Sequence, residues 1–293
     1  MKYYKLQKNH KKFNHQLGIL YMILACFSFA AIGLIVKLLD NIPLMEIVFF
    51  RNLLSMLVVP IILIKNKIPI MGNNKPLLIS RGFLGCFGMI FLFYGYSKIS
   101  ITDATAIISL SPFLVIIFSA IFLKEKFKLR QLPLVFFVFL GTLFVIKPGF
   151  HTEILPVIAP LIASILMSLS HIIIRQLRFT DNYWVIINYF VYISGFTAMI
   201  TMLLEWKFIL PNFYELILFL LLGFFSIGSQ VGITLTYHYA PARVVSSYYY
   251  SQIFFVAVFE IIILKGFPDL LTFLGTIIIV IGSILNYRFI ENY

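Results

Sequence analysis

Polar side chains recur at helical spacing within one of the most apolar parts of the chain. Thr102, Thr105, Ser109 and Pro112 lie three to four residues apart, so in a helix they share one face. This polar stripe predicts one wall of a solute-binding cavity, because polar groups inside a membrane usually face protein or water. The alternative is that the hydroxyls bond back to their own helix or allow close helix packing. Pro112 would also free a backbone carbonyl and supply a kink for gating.

A second cluster of polar side chains lies in the stretch VVSSYYYSQ, residues 244–252. Tyr249 and Gln252 share the helix face that corresponds to the polar stripe, with Ser246 beside them. A tyrosine offers a flat apolar ring and a hydroxyl, which suits an aromatic or amphipathic solute. The alternative for this run is an aromatic belt at the membrane interface, for which Tyr248 is the best candidate. We therefore expect Ser246, Tyr249 and Gln252 to contact a solute.

Gln230 lies near the middle of the apolar run SIGSQVGITLTYHY. Its amide suits a hydrogen bond to a solute and equally a hydrogen bond to a neighbouring helix, and both interpretations stay open. Gly228 and Gly232 form a Gly-x-x-x-Gly pair beside it, which is typical of closely packed membrane helices.

Titratable side chains also lie within or near apolar runs, among them His171, Arg175, Glu260 and Arg51. His171 and Arg175 are one helical turn apart, which predicts an inner gate or an anchor for an anionic solute. The alternative is an interfacial cluster that satisfies the positive-inside rule. Glu260 is a candidate for carrying a proton in coupled transport, or else snorkels to the interface. Arg51 lies deeper in its run, and we expect it to have a structural role at a helix interface.

The overall composition excludes an ordinary soluble protein. Hydrophobic residues are 61% of the 293, charged residues are 12%, and the mean hydropathy is +1.00, whereas soluble domains are about 45–50% apolar and about 25% charged. Most of the 23 Lys and Arg lie between the apolar runs, so the net charge of +12 indicates membrane orientation and not nucleic-acid binding. Cys26 and Cys86 lie inside apolar runs, which favours buried thiols over a disulfide or a metal site.

The apolar segments predict an all-α integral membrane protein with ten transmembrane helices, each near the length of about 20 residues that a bilayer requires. A basic tail, residues 1–16, precedes them. The distribution of Lys and Arg places both termini in the cytoplasm of a multi-pass protein of the cell (inner) membrane. The predicted spans, numbered first to tenth, are 17–39, 44–64, 77–97, 102–123, 131–147, 154–175, 183–204, 213–238, 243–264 and 270–289.

The chain also contains an internal repeat. Tyr96–Phe127 aligns with Tyr237–Phe267 with one small slip, which places Ser111-Pro112-Phe113 on Ser251-Gln252-Ile253. Five spans fall in residues 17–148 and five in residues 149–293, so the second half enters the membrane from the opposite side. Inverted repeats of this kind are common in secondary transporters, with the substrate site near the midplane between the halves.

Short motifs along these spans resemble the EamA branch of the drug/metabolite transporter superfamily. They are Phe50-Arg51-Asn52, Arg81-Gly82, Ser111-Pro112 and Lys124-Glu125-Lys126. The resemblance implies two EamA-like five-helix repeats and a carrier that does not hydrolyse ATP. It also implies a central cavity lined mainly by the first, third, fourth, sixth, eighth and ninth spans. Members of the family move solutes such as amino acids and S-adenosylmethionine.

Together these features predict a secondary transporter of a small metabolite, namely an amino acid, S-adenosylmethionine or a similar solute. The expected partners are that solute, membrane lipids and protons as a candidate coupling ion; we expect no cofactor, no metal and no nucleic acid. The alternative is a polytopic membrane enzyme acting on lipid-linked substrates. No His-x-x-x-His, Gly-x-Ser-x-Gly or Gly-x-x-x-x-Gly-Lys-Ser/Thr motif supports an enzyme or an ATPase.

Overall fold

A computed structural model describes residues 14–123, 137, 140, 141, 144, 154–205, 208–266 and 269–291. Within these residues the chain forms helices and connecting turns, and no strand. The predicted fifth span, 131–147, and nearly all of the predicted tail, 1–16, lie outside the described residues, apart from four isolated helical positions of the fifth span.

The first three spans form long helices: α1 is His15–Leu38, α2 is Leu44–Lys65 and α3 is Lys75–Lys98. An asparagine begins two of them. Asn14 accepts a hydrogen bond from the amide of Leu17, and Asn74 accepts one from the amide of Leu77. Such caps satisfy amides that have no partner inside the helix.

The predicted fourth span is interrupted. Helix α4, Ile101–Ile108, and helix α5, Ser111–Leu123, are separated by a turn at Ser109 and Leu110. Pro112 explains the break, because proline has no N–H to offer the carbonyl four residues earlier.

The second half repeats the pattern of three long helices followed by a broken span. Helix α6 is Leu155–Leu177, α7 is Tyr183–Glu205 and α8 is Phe213–Tyr239. A capping box begins α8: Asn212 accepts from the amide of Glu215, and the Glu215 carboxylate accepts from the amide of Asn212.

The predicted ninth span changes helix type three times. Helix α9, Ala242–Val245, leads into a 3₁₀ segment, Ser246–Tyr250, then helix α10, Ser251–Phe259, and a π-helical turn, Glu260–Leu264. Two carbonyls of the 3₁₀ segment accept hydrogen bonds from side chains in addition to backbone amides. Cys26 Sγ donates to the Tyr249 carbonyl at 3.3 Å, and Ser251 Oγ donates to the Tyr248 carbonyl at 2.8 Å. Helix α11, Leu270–Glu291, completes the described chain.

Seven helical stretches of the described residues are long and apolar enough to cross a membrane, with α4 and α5 counted as one. Side chains on their outer faces, such as Leu57, Ile61 and Phe224, are well over half exposed. A surface of this kind fits hydrocarbon as its solvent. The chain is therefore a multi-pass membrane protein.

Helix packing is reciprocal between the two halves. The most extensive contacts join α3 to α6 and α1 to α8, followed by α2 to α7; α3 also packs on α7, as α8 packs on α2. Glycine allows the two closest pairs to approach. A Cβ at Gly95 of α3 would lie 2.5 Å from Pro160 Cγ of α6, and one at Gly232 of α8 would lie 2.9 Å from Ala25 Cβ of α1. This packing leaves space between the halves at the centre of the bundle.

Candidate functional site

A small cavity lies at the centre of the helix bundle. Its volume is about 30 Å³, room for about two water molecules. Residues of both halves line it, from α1, α2, α3, α6, α7, α8 and the 3₁₀ segment, and no Asp or Glu is among those described there. The polar side chains of its wall are Arg51, Arg81, Tyr96, Ser170, His171, Gln230 and Tyr249.

Arg81 extends from α3 into this cavity and is only 3% exposed. Its Nη2 donates a 2.9 Å hydrogen bond to Gln230 Oε1 of α8, and its guanidinium lies 4.5 Å from the centroid of the Phe190 ring. Its Nε has no hydrogen-bond partner within the described chain. Gly85, one turn further along α3, makes room for this side chain, because a Cβ there would collide with Arg81 Nη1.

Arg51 reaches the same cavity from α2 and is 2% exposed. Its guanidinium lies 5.5 Å from the Phe190 centroid and 5.6 Å from that of Phe93. Its Nη1 is 3.4 Å from Asn52 Oδ1, a long hydrogen bond, and its Nε has no partner in the described chain. The two arginines therefore share one aromatic ring, and their hydrogen bonds go to neutral amide oxygens.

His171 of α6 adds an imidazole to the cavity wall. Its ring centroid lies 5.1 Å from that of Tyr237, and its Nδ1 has no hydrogen-bond partner among the described residues. Next to it, Ser170 Oγ donates to the Arg81 carbonyl at 3.4 Å. The wall thus contains three basic side chains, Arg51, Arg81 and His171.

Arg175, predicted as a partner of His171, does not belong to the described cavity wall. Its Nη1 lies 3.5 Å from the Ala240 carbonyl, at the end of the bundle where α1 begins. Arg178 follows just beyond α6. Burial, and secondly the charge of Arg175, lowers the pKa of Arg178 to about 10, so its guanidinium remains charged at neutral pH. This end of α6 carries a basic cluster.

The polar stripe faces other parts of the protein. Thr105 Oγ1 lies 3.4 Å from Tyr96 Oη, and Ser109 Oγ donates to the Thr105 carbonyl of its own helix at 2.6 Å. Pro112 is buried at the start of α5. None of these residues is in the described cavity wall. Tyr96, which contacts Thr105, does line the cavity.

The predicted residues of the ninth span divide between the cavity and its surroundings. Tyr249 lines the cavity, while Gln252 lies behind it and donates from Nε2 to Tyr96 Oη at 3.4 Å. Gln252 Oε1 has no partner in the described chain, and Ser246 is buried outside the described wall. Tyr96 therefore connects the broken fourth and ninth spans to the central site.

Hydrogen bonds join the halves at both ends of the bundle. At the end where α4 begins, the Glu260 carboxylate accepts from the Thr102 amide at 3.1 Å and from the Thr102 hydroxyl, and Thr272 Oγ1 donates to Asp103 Oδ1 at 2.7 Å. At the opposite end, Thr236 Oγ1 donates to the Gly18 carbonyl at 3.3 Å. These contacts hold the two halves together at both ends of the bundle.

The sequence prediction missed Arg81, Tyr96 and Phe190 and gave Arg51 a different role. Gln230, His171 and Tyr249 were predicted from their position on helix faces, and the structure brings them together at the cavity. The sequence did contain a signal for Arg51 and Arg81, because an arginine inside an apolar run is a candidate for a functional site. Among the residues described, no group of three or more His, Cys, Asp or Glu side chains is placed to hold a metal ion.

Comparison with known proteins relates the chain to transporters. Residues 16–147 match the EamA-like transporter family. The pseudopaline exporter CntI of Pseudomonas aeruginosa is 29% identical, across 92% of this chain and 96% of its own length. Solute carrier family 35 member G1 of Mus musculus is 26% identical, across 91% of this chain and 77% of its own length.

Two further similarities extend over most of the chain. An S-adenosylmethionine uptake transporter of Rickettsia bellii is 25% identical, across 91% of both chains. A protein of known crystal structure superimposes with a TM-score of 0.67 over 91% of this chain and 98% of its own. Its sequence identity is 14%, so this likeness concerns the fold alone.

Proposed function

Because this chain is an EamA-type member of the drug/metabolite transporter superfamily, we propose that it is a secondary transporter that moves a small metabolite across the cytoplasmic membrane by alternating access. The observation that carries this proposal is the polar cavity between the two halves of an otherwise apolar bundle. Secondary transporters place their solute sites at such a position. Three of the relatives are named as an exporter, a solute carrier and an uptake transporter, which supports the proposal.

The proposed architecture has ten spans arranged as two inverted repeats, residues 17–148 and 149–293. The reciprocal packing supports it, because exchanging each helix for its counterpart in the other half reproduces the main contacts. The distribution of Lys and Arg supports cytoplasmic termini and the cell inner membrane as the location. The end of the bundle where α1 begins is then cytoplasmic, and the end where Glu260 meets Thr102 faces outward.

In this mechanism the described conformation is the closed intermediate. A cavity of about 30 Å³ is smaller than an amino acid, so a solute enters only when one end opens. Opening outward separates Glu260 from Thr102, and opening inward separates α8 from the start of α1. Glu260 is the candidate proton carrier in this proposal, because its carboxylate lies at the outer contact.

Within the proposed site, Gln230 and Tyr249 contact the solute directly, and Thr105, Ser109, Pro112, Ser246 and Gln252 support the wall. Arg175 belongs to the inner gate. His171, one turn away on the same helix, lies between this gate and the cavity that it lines. Amino acids, S-adenosylmethionine and similar metabolites are the first solutes to examine.

Uptake into proteoliposomes tests this function. The purified protein is reconstituted, and initial rates are measured for labelled amino acids, S-adenosylmethionine and dicarboxylic acids, with and without a pH gradient. We expect saturable uptake of at least one solute, retained by the lipid-facing control variant Leu57→Ala and absent from empty liposomes. Lack of transport of every solute, together with altered lipids on expression, would instead favour the membrane enzyme.

A further inference from the structure

We infer that the central cavity binds a small dicarboxylate, with one carboxylate recognised by Arg51 and the other by Arg81. The inference rests on the proposed transport function and specifies its substrate class. It comes from two guanidiniums that are buried together, in a cavity wall whose described residues include no Asp or Glu.

Burial of an arginine is costly unless an opposite charge or a full set of hydrogen bonds compensates for it. Arg51 and Arg81 have little such compensation. Each donates to one neutral side-chain amide, Asn52 or Gln230, and the Nε of each has no partner within the described chain. Two negative charges brought by a solute would supply the compensation that the described residues around the two arginines do not provide.

The placement of the two guanidiniums also favours two separate acidic groups. Both lie within 5.5 Å of the centroid of the same Phe190 ring, where a low effective dielectric strengthens the repulsion between them. A solute with a single negative charge leaves one of them uncompensated. The planar fork of arginine matches a carboxylate with two parallel hydrogen bonds, which gives each side chain its own acid to recognise.

The remaining wall suits the body of such a molecule. Gln230 and His171 are placed for its further polar groups, while Met89 and Met167 are flexible side chains that can move aside as the cavity widens. A cationic solute meets two like charges here. Among the solutes considered, this disfavours S-adenosylmethionine and favours acids.

Three probe molecules of nearly the same shape but different charge test the inference. Thermal unfolding of the purified protein is followed at pH 7.5 and fixed ionic strength with succinate, succinamate or succinamide, which carry two, one and no negative charges. We expect succinate to raise Tm saturably by about 2–4 °C, succinamate to raise it less, and succinamide to leave it unchanged. Inorganic phosphate, which has two charges on one centre, serves as the comparison and is expected to act no better than succinamate.

Variants assign the effect to the two arginines. Arg51→Gln and Arg81→Gln should abolish the response to succinate and leave the Tm without additive equal to or above that of the wild type, because each removes an uncompensated buried charge. Arg51→Lys keeps the charge without the fork and should retain part of the response. Lys98→Gln, an exposed position on the same helix as Arg81, is the matched control and should respond like the wild type.

Four results would overturn the inference: a succinamide response equal to that of succinate, a response to phosphate alone, no response to any probe, or a succinate response that survives both glutamine substitutions. The flux assay separates this failure from failure of the transport function. Saturable uptake of a neutral or cationic solute, unaffected by excess succinate, would refute the dicarboxylate and leave the transporter standing.

Discussion

Two polar regions inside the membrane differ in how their hydrogen bonds are used. In the polar stripe of α4 and α5, Ser109 bonds to its own helix and Thr105 pairs with Tyr96. In the arginine region of α2 and α3, Arg51 and Arg81 each have a buried Nε beside a cavity, with no hydrogen-bond partner among the described residues. The two regions therefore differ in how completely their polar atoms find partners within the described protein. Our proposal takes incomplete pairing next to a cavity as the signal of a binding site.

The largest effect should come from neutralising the arginine region. Arg81→Gln and Arg51→Gln should each lower the rate of solute uptake at least about 30-fold, since loss of one partner of a buried charge pair costs about 2 kcal/mol or more. Initial rates in proteoliposomes measure this, with Lys98→Gln as the matched control. Uptake within about 3-fold of the wild type would remove the arginines from the site.

The next largest effect should be on stability, at the end of the stripe where Thr102 meets Glu260. Glu260→Ala removes the acceptor of the Thr102 amide and hydroxyl, and unsatisfied buried donors cost about 1–3 kcal/mol. We expect a Tm lower by about 2–8 °C, and a smaller loss for Glu260→Gln, which keeps one acceptor oxygen. An unchanged Tm for Glu260→Ala would show that this contact does not hold the two halves together at that end of the bundle.

A smaller effect is expected where the two regions meet. Tyr96→Phe removes the hydroxyl that lies between Thr105 and Gln252 while the ring remains in the cavity wall. The loss of about 1 kcal/mol corresponds to about 5-fold in uptake. Measuring KM separately from the maximal rate shows whether the substitution weakens solute binding or slows a later step of transport. A loss as large as that of Arg81→Gln would make Tyr96 part of the solute site itself.

The smallest effect should come from the polar stripe. Ser109→Ala removes a hydroxyl that donates to its own helix, so uptake should change by less than about 2-fold. The same proteoliposome assay measures it. A loss of about 10-fold or more would restore the stripe as a wall of the solute cavity in a more open conformation.

Much of the fold could be predicted because bilayer thickness restricts the length of apolar segments. The predicted spans 44–64 and 183–204 correspond to Leu44–Lys65 and Tyr183–Glu205 within one residue at each end. The interruptions of the fourth and ninth spans were harder to predict, although Pro112 indicated a kink. The 3₁₀ segment from Ser246 accepts a hydrogen bond from the Cys26 thiol, which comes from a distant part of the chain.

The site was only partly predictable for a similar reason. Gln230, His171 and Tyr249 stand out as polar residues at particular positions on helix faces, which a sequence reveals. Arg51 and Arg81 belong to the proposed site because the Nε of each has no partner among the described residues. A sequence does not reveal this, since pairing is decided by tertiary packing. Their common contact, Phe190, comes from α7 in the other half of the chain and carries no signal of its own among 32 phenylalanines.

The most direct test of the contrast between the arginine region and the polar stripe is a structure of the protein in lipid nanodiscs with saturating succinate. We predict density for the dicarboxylate in the central cavity, with its two carboxylates within about 3.5 Å of the guanidiniums of Arg51 and Arg81. Density against Ser109 and Thr105, or guanidiniums still packed on Phe190 with no anion between them, would contradict the account.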